Sequence, residues 1–268
     1  MAPGLPAIAV RAAASAQFFV EDPAHPVLSP DDAHHLGRVL RLRAGEEVIV
    51  SDGAGHWART RWAAGGGGGG DRGPGALVAL DDGVGPGGDG SVQFEAAPTP
   101  ALTVAFAPTK GERPEWVVQK LTELGIDRVV PLVSERSVVR WSGARGKGAV
   151  ERLRRVAREA AGQCRRVWLP DVSEVVRFDS LGSLGAPGDV VLAQLSGDRL
   201  RASQLVVAVG PEGGWSADEL ASGLPTVGFG LSVLRAETAA VTAAALMVSL
   251  RTGTVAQMAP TAPVGELS

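Results

Sequence analysis

The chain has 268 residues, 21% of them charged, and a net charge of −3 at pH 7, so one large or two small domains are expected. Its single cysteine, Cys164, excludes an internal disulfide and indicates a reducing compartment. The sequence contains no apolar run near the ~20 residues of a membrane helix and does not begin like a secretory signal. We therefore expect a cytoplasmic protein without a membrane partner. The histidines, at 25, 34, 35 and 56, lack metal-ligand spacing, so no metal site is expected.

The first third of the chain is predicted to be β-rich. Residues 1–16 are rich in alanine and proline and are expected to form a disordered leader. Short apolar runs separated by turns follow, which predicts a small β-barrel domain over residues 17–97. The predicted elements are a helix at 33–40 and strands at 18–20, 47–50, 57–62, 76–80 and 92–95, with flexible glycine-rich loop tips at 65–75 and 83–90.

The rest of the chain alternates between strand and helix. After a proline-containing linker at 96–100, this alternation predicts an α/β domain with a mostly parallel sheet over residues 98–255, followed by a C-terminal tail at 256–268. The predicted strands are 102–107, 128–133, 190–192, 205–209 and 226–229, and the first two predicted helices are 114–124 and 150–164.

A glycine-rich turn joins a strand to a helix near residue 210. Residues 205–209 are apolar and β-branched, which is typical of a buried strand. Gly213 and Gly214 permit backbone conformations that let a ligand approach the main chain. Ser216 and Glu219 have the spacing of a capping box and predict a helix from residue 217. Taken alone, these residues fit a tight turn without a ligand equally well.

A second junction of the same kind follows. An apolar run over 227–234 leads into a predicted helix at 239–250, with Arg235 and Glu237 between them. For this pair alone, an ion pair with a helix-start acid is the simpler interpretation. Two such junctions in tandem favour a ligand site, because open α/β sheets bind ligands at the carboxyl ends of their strands. Neither G-x-G-x-x-G nor G-x-x-x-x-G-K-[ST] occurs in this context.

Basic residues are concentrated in one segment. Residues 136–166 contain ten Arg or Lys and two acids, a net charge of +8 over 31 residues. Such a run is often a solvated helix face, but this excess of arginine favours contact with a phosphate backbone.

The sequence resembles the RsmE family of 16S ribosomal RNA (uracil-N3) methyltransferases, in the SPOUT class. The resemblance is carried by G-P-E-G-G-W-S at 210–216, L-R-A-E-T-A at 234–239 and four further motifs in the same order, over about residues 18–250. The further motifs are H-L-G-R-V-L-R at 35–41 with G-E at 45–46, K-G-E-R at 110–113, Q-K-L-T-E-L-G at 119–125 and S-E-R-S at 134–137.

The resemblance implies more than the residue patterns do. It implies an N-terminal PUA-like RNA-binding domain and a C-terminal SPOUT domain with a deep trefoil knot. It also implies S-adenosylmethionine as cofactor, a uridine of 16S ribosomal RNA in the small subunit as methyl acceptor, and a homodimer.

The resemblance also suggests roles for individual residues. Arg235 and Glu237 are the catalytic candidates: Arg235 to stabilise charge on a uracil oxygen, and Glu237 to orient that arginine or accept the proton. The cofactor-binding candidates are Leu192, Ala193, Gly210, Glu212, Gly213, Gly214, Leu231, Ser232 and Leu234. The RNA-binding candidates are Arg38, Arg41, Arg43, Lys110, Arg113, Arg136, Arg165 and Arg166.

Three positions depart from the family pattern. Many relatives have Arg at Ser232, Thr at Ala236 and Glu at Gly162. These departures leave two alternatives open: a SPOUT enzyme acting on another base or on transfer RNA, and an RNA-binding protein that has lost catalysis.

Overall fold

A computed structural model describes residues 7–29, 32, 41–63, 76–80 and 92–256. Contacts within the chain divide it into two compact units. The first contains residues 1–98 and 155–170, and the second contains residues 99–154 and 171–268. Residues 155–170, which lie within the predicted second domain at 98–255, belong to the first unit by their contacts.

The first unit contains a five-stranded sheet. Strands β1 to β4 follow one another in the sheet, and β5 pairs with β3. The elements are α1 (Ala7–Ala13), β1 (Ala16–Phe19), β2 (Glu47–Ser51), β3 (His56–Ala63), β4 (Ala76–Ala79) and β5 (Gln93–Phe94). The predicted strands are confirmed. The strand pairs found among the described residues do not close the sheet into a barrel. The predicted helix at 33–40, both glycine-rich tips and the tail after 256 lie outside the described residues.

The prediction of a disordered leader is wrong for residues 7–16, which form α1 and the start of β1. Arg11 anchors the helix and is only 2% exposed. Its guanidinium donates to Glu95 at 2.6 Å and to the Arg165 carbonyl at 3.1 Å, and lies 5.1 Å from the ring centroid of Trp57. These partners are distant in sequence, so local composition could not reveal them.

The second unit contains a seven-stranded parallel sheet. The parallel arrangement is confirmed, but the strands at Asp171–Val172 and Val176–Arg177 were not predicted. Its order is β12-β10-β11-β6-β7-β8, with β9 paired to β7. The strands are β6 (Thr103–Phe106), β7 (Arg128–Val133), β8 (Asp171–Val172), β9 (Val176–Arg177), β10 (Val190–Arg199), β11 (Val206–Val209) and β12 (Thr226–Gly228). The helices are α2 (Arg113–Leu124), α3 (Gly143–Gln163), α4 (Ala217–Leu220) and α5 (Ala236–Arg251), with a 3₁₀ helix at Phe178–Leu184.

The central strands read as continuous apolar runs because both faces of the sheet are covered. All four residues of β6 and of β11 are buried. Helix α5 packs against both strands and against α2, while Leu181 and Trp215 pack against the sheet core with Leu132 and Leu192. The deep trefoil knot stays a prediction, because strand order alone does not define how the chain is threaded.

Strand order also predicts where a ligand binds. The chain runs from β6 outward through β7 to β8, then crosses to β10 and returns to β11 beside β6. The connections that leave the paired strands β6 and β11 therefore run to opposite sides of the sheet. A crevice opens at such a switch point, at the carboxyl ends of the strands. The segments following β6, β10, β11 and β12 are thus the first places to look for a site.

Arg251 links the end of α5 to the turn that precedes β7. Its side chain is 9% exposed and pairs with the 16%-exposed carboxylate of Asp127. It also donates to the Gly125 carbonyl at 2.8 Å. Arg251→Met should lower the free energy of unfolding by about 3 kcal/mol, because removing one partner leaves the other charge poorly compensated in a buried place. Urea denaturation measures this, and a loss below about 0.5 kcal/mol would identify a weak surface pair instead.

Candidate cofactor and catalytic site

A cavity of about 190 Å³ opens beside the middle of β10 and the carboxyl ends of β11 and β12. Its walls come from the middle of β10, from the last residues of β11 and β12 with the segments that follow them, and from the first turn of α5. The lining residues are Ala193, Gln194, Leu195, Val209, Gly210, Pro211, Glu212, Gly214, Trp215, Val227, Phe229, Gly230, Ser232, Val233, Leu234, Ala236 and Ala239. The cavity therefore joins the two glycine-containing junctions seen in the sequence.

Trp215 organises the loop after β11. Its indole Nε1 donates to the Ala193 carbonyl at 3.0 Å, which links the loop to the end of β10. A Cβ atom on Gly210 would lie 3.1 Å from this ring, so the residue that ends the strand must be small for the tryptophan to close over it. Gly214 has φ of +68°, which glycine adopts without steric cost.

The helix start predicted after this loop is confirmed, although α4 has only four residues. Ser216 and Glu219 form the capping box through reciprocal hydrogen bonds of 3.2 and 2.8 Å. The second carboxylate oxygen of Glu219 accepts from the Glu135 amide at 2.9 Å. Arg136 reaches the same loop by donating to the Gly213 carbonyl at 3.0 Å. The S-E-R-S segment at 134–137 thus supports the loop after β11, here called the cofactor loop (residues 210–216), through Glu135 and Arg136.

The loop after β12 leads into α5 with an unusual residue at the helix start. Arg235 occupies the N-cap position and makes no side-chain cap hydrogen bond. Its side chain is exposed, while its neighbours Leu234 and Ala236 line the cavity. A cation at a helix N-terminus opposes the helix dipole, and the preferred N-cap residues are Ser, Thr, Asp and Asn. Violation of a local stability rule at a cavity rim is typical of a functional residue.

Arg113, at the start of α2, lies between two carboxylates of the same site. Its Nη1 is 3.7 Å from Glu212 Oε1 and its Nε is 3.8 Å from Glu237 Oε1. Strand order explains the first approach, because β6 precedes Arg113, β11 precedes Glu212 and the two strands are paired. The second follows from the packing of α5 on both strands.

Six of the nine predicted cofactor residues line the cavity: Ala193, Gly210, Glu212, Gly214, Ser232 and Leu234. Leu192 instead lies fully buried in the sheet core, Gly213 contacts Arg136 outside the cavity, and Leu231 is completely exposed. Sequence reasoning missed several apolar wall residues, notably Trp215, Val227 and Phe229. All three lie within or beside the two junctions, so adjacency was the available signal.

The predicted RNA-binding arginines differ in their surroundings. Arg41 and Arg43 are exposed, as are Lys110, Arg113 and Arg136 near the cavity, while Arg38 lies outside the described residues. Arg165 is engaged within the fold, because its guanidinium donates to the carbonyls of Ala14 and Gly162 at 2.9 Å each. Burial lowers the pKa of this guanidinium. Arg166 is half-buried, and its carbonyl accepts a hydrogen bond from Gln17.

The departure at Gly162 has a local explanation. A Cβ atom on this glycine would lie 3.1 Å from the Gln17 carbonyl oxygen. That contact is tighter than side chains normally accept, so a larger residue here requires β1 to move.

The cavity suits an adenosine-containing cofactor. Its walls combine apolar side chains, including Val209, Phe229 and Leu234, with exposed backbone at Gly210 and Gly230. Such a slot matches the mostly apolar lining and few polar groups of small-molecule sites. Glu212 at the rim supplies a negative charge for a cationic ligand.

The described histidine, cysteine and carboxylate side chains form no group of three or more that is arranged to hold a metal ion. None of the helices in the described ranges has the length and apolar character needed to span a bilayer.

Comparison with known families assigns both parts of the chain. Residues 96–248 match the family described as RNA methyltransferase domain, and residues 28–61 match the RNA methyltransferase PUA domain. A ribosomal RNA small subunit methyltransferase E from Mycobacterium bovis is 33% identical over 233 residues, covering 81% of this chain and 83% of the relative. The protein of the same name from Synechocystis is 33% identical over 240 residues, covering 83% and 72%.

Solved structures share the fold. The ribosomal RNA small subunit methyltransferase E of Neisseria gonorrhoeae, solved bound to S-adenosyl methionine, superimposes with a TM-score of 0.67. The two are 23% identical, and the match covers 88% of this chain and 97% of that one. The fold is therefore that of an α/β RNA methyltransferase with a PUA-like N-terminal domain. Together with the sequence identities, this shows that the chain belongs to the family of ribosomal RNA small subunit methyltransferase E.

Proposed function

We propose that the protein transfers a methyl group from S-adenosylmethionine to N3 of a uridine in the 16S ribosomal RNA of the small subunit. The observation that carries the proposal is the cavity formed jointly by the two motif-bearing loops, with Arg235 and Glu237 at its edge. Relatives named for small-subunit ribosomal RNA methylation match four-fifths of the chain, which supports the same substrate class here.

The chemistry defines what the site must supply. Uracil N3 carries a proton at neutral pH and becomes a nucleophile only as that proton leaves. The new N–C bond forms while the C–S bond breaks, which yields methylated uracil, S-adenosylhomocysteine and one proton. N3 is hidden in a base pair, so the target uridine must be unpaired or extruded. The protein has to hold both partners in line and assist the proton transfer.

We assign these tasks to the residues around the cavity. The cofactor, when bound, supplies an electrophilic methyl group on a cationic sulfur. The six predicted residues that line the cavity, together with Trp215 and Phe229, would hold its adenosine part against the carboxyl ends of β10 and β11. Arg235 would stabilise the negative charge that develops on a uracil oxygen. Glu237 would accept the proton.

RNA contact is proposed for the exposed cations. Arg136 contacts the loop after β11, and Lys110 lies in the connection between β6 and α2. We propose that an RNA strand entering the site passes these two side chains. Arg38, Arg41 and Arg43 are proposed contacts of the PUA-like domain. Arg41 supports this assignment, because its φ of 52° is uncommon for a non-glycine residue, and such conformations cluster at functional sites.

The proposal includes a homodimer in the cytoplasm. Leu231 and Val233, beside the cavity, are 101% and 84% exposed, and Leu195 is 49% exposed. Exposed apolar groups clustered at a site mark an interaction surface.

The first experiment identifies the product. Purified protein is incubated with labelled S-adenosylmethionine and unmethylated small ribosomal subunits, and the digested RNA is searched for the labelled nucleoside. We expect 3-methyluridine from 16S RNA. Cofactor binding without labelling of this RNA would point to another RNA substrate. Absence of cofactor binding would favour an RNA-binding protein without catalysis.

A further inference from the structure

Arg113 occupies a position that RNA binding alone does not explain. Its Nη1 lies 3.7 Å from Glu212 Oε1, and its Nε lies 3.8 Å from Glu237 Oε1. Both separations exceed the ~3.2 Å limit of an N–H···O hydrogen bond, so the arginine is attracted to both carboxylates without being fixed to either. One of them belongs to the cofactor loop and the other begins α5 beside Arg235.

Glu237 has the less usual environment of the two acids. Its side chain is only 14% exposed, and its Oε2 is buried without a hydrogen-bond partner among the described residues. A buried polar atom without a partner is costly, so each native instance calls for an explanation. The N-terminus of α5 and the Arg113 guanidinium are the nearby positive charges that compensate the carboxylate.

We propose that Arg113 is a positioning residue for Glu237. Its charge, which lies nearest Oε1, favours one orientation of the carboxylate and leaves Oε2 without a donor, so that this oxygen can take the proton that leaves the substrate base. Through Glu212 it ties that orientation to the loop that lines the cofactor cavity. The inference rests on the proposed function, and it gives Arg113 a different role from the RNA contact that the family resemblance implied.

The chemical reason favours arginine over a simple positive charge. A guanidinium presents several N–H donors in a fixed planar fork and can address two carboxylates at once. Here Nη1 faces Glu212 and Nε faces Glu237. A lysine at this position carries the charge but has only one nitrogen, so it can serve one carboxylate well and the other poorly. Lysine should therefore restore only part of the function.

The test separates positioning from RNA binding. Arg113→Gln should lower kcat by about 100-fold, the lower range of general acid–base contributions. The RNA KM and the Kd for S-adenosylmethionine, measured by calorimetry, should each change less than about threefold. Arg113→Lys should recover about one third of the logarithmic loss in kcat. Arg201→Gln is the matched control, because Arg201 is exposed and precedes β11 at the opposite edge of the sheet.

A double-mutant cycle supplies the decisive readout. If Arg113 acts through Glu237, then Arg113→Gln should add little to the kcat loss of Glu237→Gln. The proposal is wrong if the kcat losses of the two substitutions multiply in the double variant. It is also wrong if Arg113→Gln raises the RNA KM and leaves kcat unchanged, which would indicate that Arg113 contacts a phosphate.

The proposed function can fail independently of the inference. In the double-mutant cycle, kcat is measured from the total label transferred to RNA. If the labelled nucleoside is not 3-methyluridine, the proposed substrate is wrong, but the cycle can still be interpreted. If the wild type transfers no label, the same cycle is run on the free energy of unfolding. There, additive effects of the two substitutions would refute the Arg113–Glu237 contact, and non-additive effects would support it.

Discussion

Arg235→Ala is expected to lower kcat by about 1000-fold, because removal of one donor that stabilises developing charge costs 100- to 1000-fold in comparable sites. The Kd for S-adenosylmethionine should stay within about threefold of the wild type, since the cavity is lined by Leu234 and Ala236 and not by Arg235 itself. Single-turnover methylation of small-subunit RNA and calorimetric titration of the cofactor measure the two quantities separately.

The fold should tolerate this change. The Arg235 side chain is exposed and makes no cap hydrogen bond, so the melting temperature should remain that of the wild type. Arg201→Ala, at the other edge of the sheet, is the control and should leave both kcat and cofactor affinity unchanged. Simultaneous loss of cofactor binding and turnover in Arg235→Ala would show that this arginine shapes the cavity and would remove it from the catalytic role.

Gly197→Ala should damage both stability and cofactor binding. A Cβ atom on Gly197 would lie 2.4 to 2.6 Å from backbone atoms of Val227, so β10 and β12 cannot keep their present spacing. Overpacking of this kind costs about 3 kcal/mol where the backbone must move. Displacement of β12 also displaces Val227 and Phe229 from the cavity wall. We therefore expect a fall in the melting temperature together with at least a tenfold weaker Kd for S-adenosylmethionine.

A second glycine provides the control for this substitution. Gly148 lies inside α3, and no atom would come within 4 Å of an added Cβ. Gly148→Ala should stabilise the protein by about 0.5 to 1 kcal/mol through helix propensity, with an unchanged cofactor Kd. Wild-type stability and affinity in Gly197→Ala would mean that β10 and β12 do not approach as closely as the structure has them.

The sheet of the second unit was predictable because its strands are buried on both faces. Strands such as β6 and β11 are continuous apolar runs, and their ends were located within about one residue. The end of β10 was missed, because its second half, from Gln194 to Arg199, is polar and pairs with β12 only through a bulge. The start of α3 was missed because its first turns, G-A-R-G-K-G, have low helix propensity.

The site was predictable in its loops and less so in its contacts. Glycines, a capping box and two charged residues at strand ends located the cavity edge correctly. The link between Arg113 and Glu237 joins residues 124 positions apart, and no local pattern encodes it. The same holds for Arg165, whose charge suggested RNA while its contacts hold Ala14 and Gly162. The charge of an arginine in the sequence thus does not reveal which contacts its side chain makes within the fold.

Because residues 155–170 belong to the first unit, a fragment meant to contain that unit cannot end at the predicted domain boundary. Val167 is buried with Ile49 and Trp57, and Arg158 donates to the Phe19 carbonyl at 2.7 Å. A fragment ending near residue 98 therefore lacks part of its own core and exposes apolar surface that the intact chain covers. An isolated first unit therefore has to include residues 155–170 to keep its core.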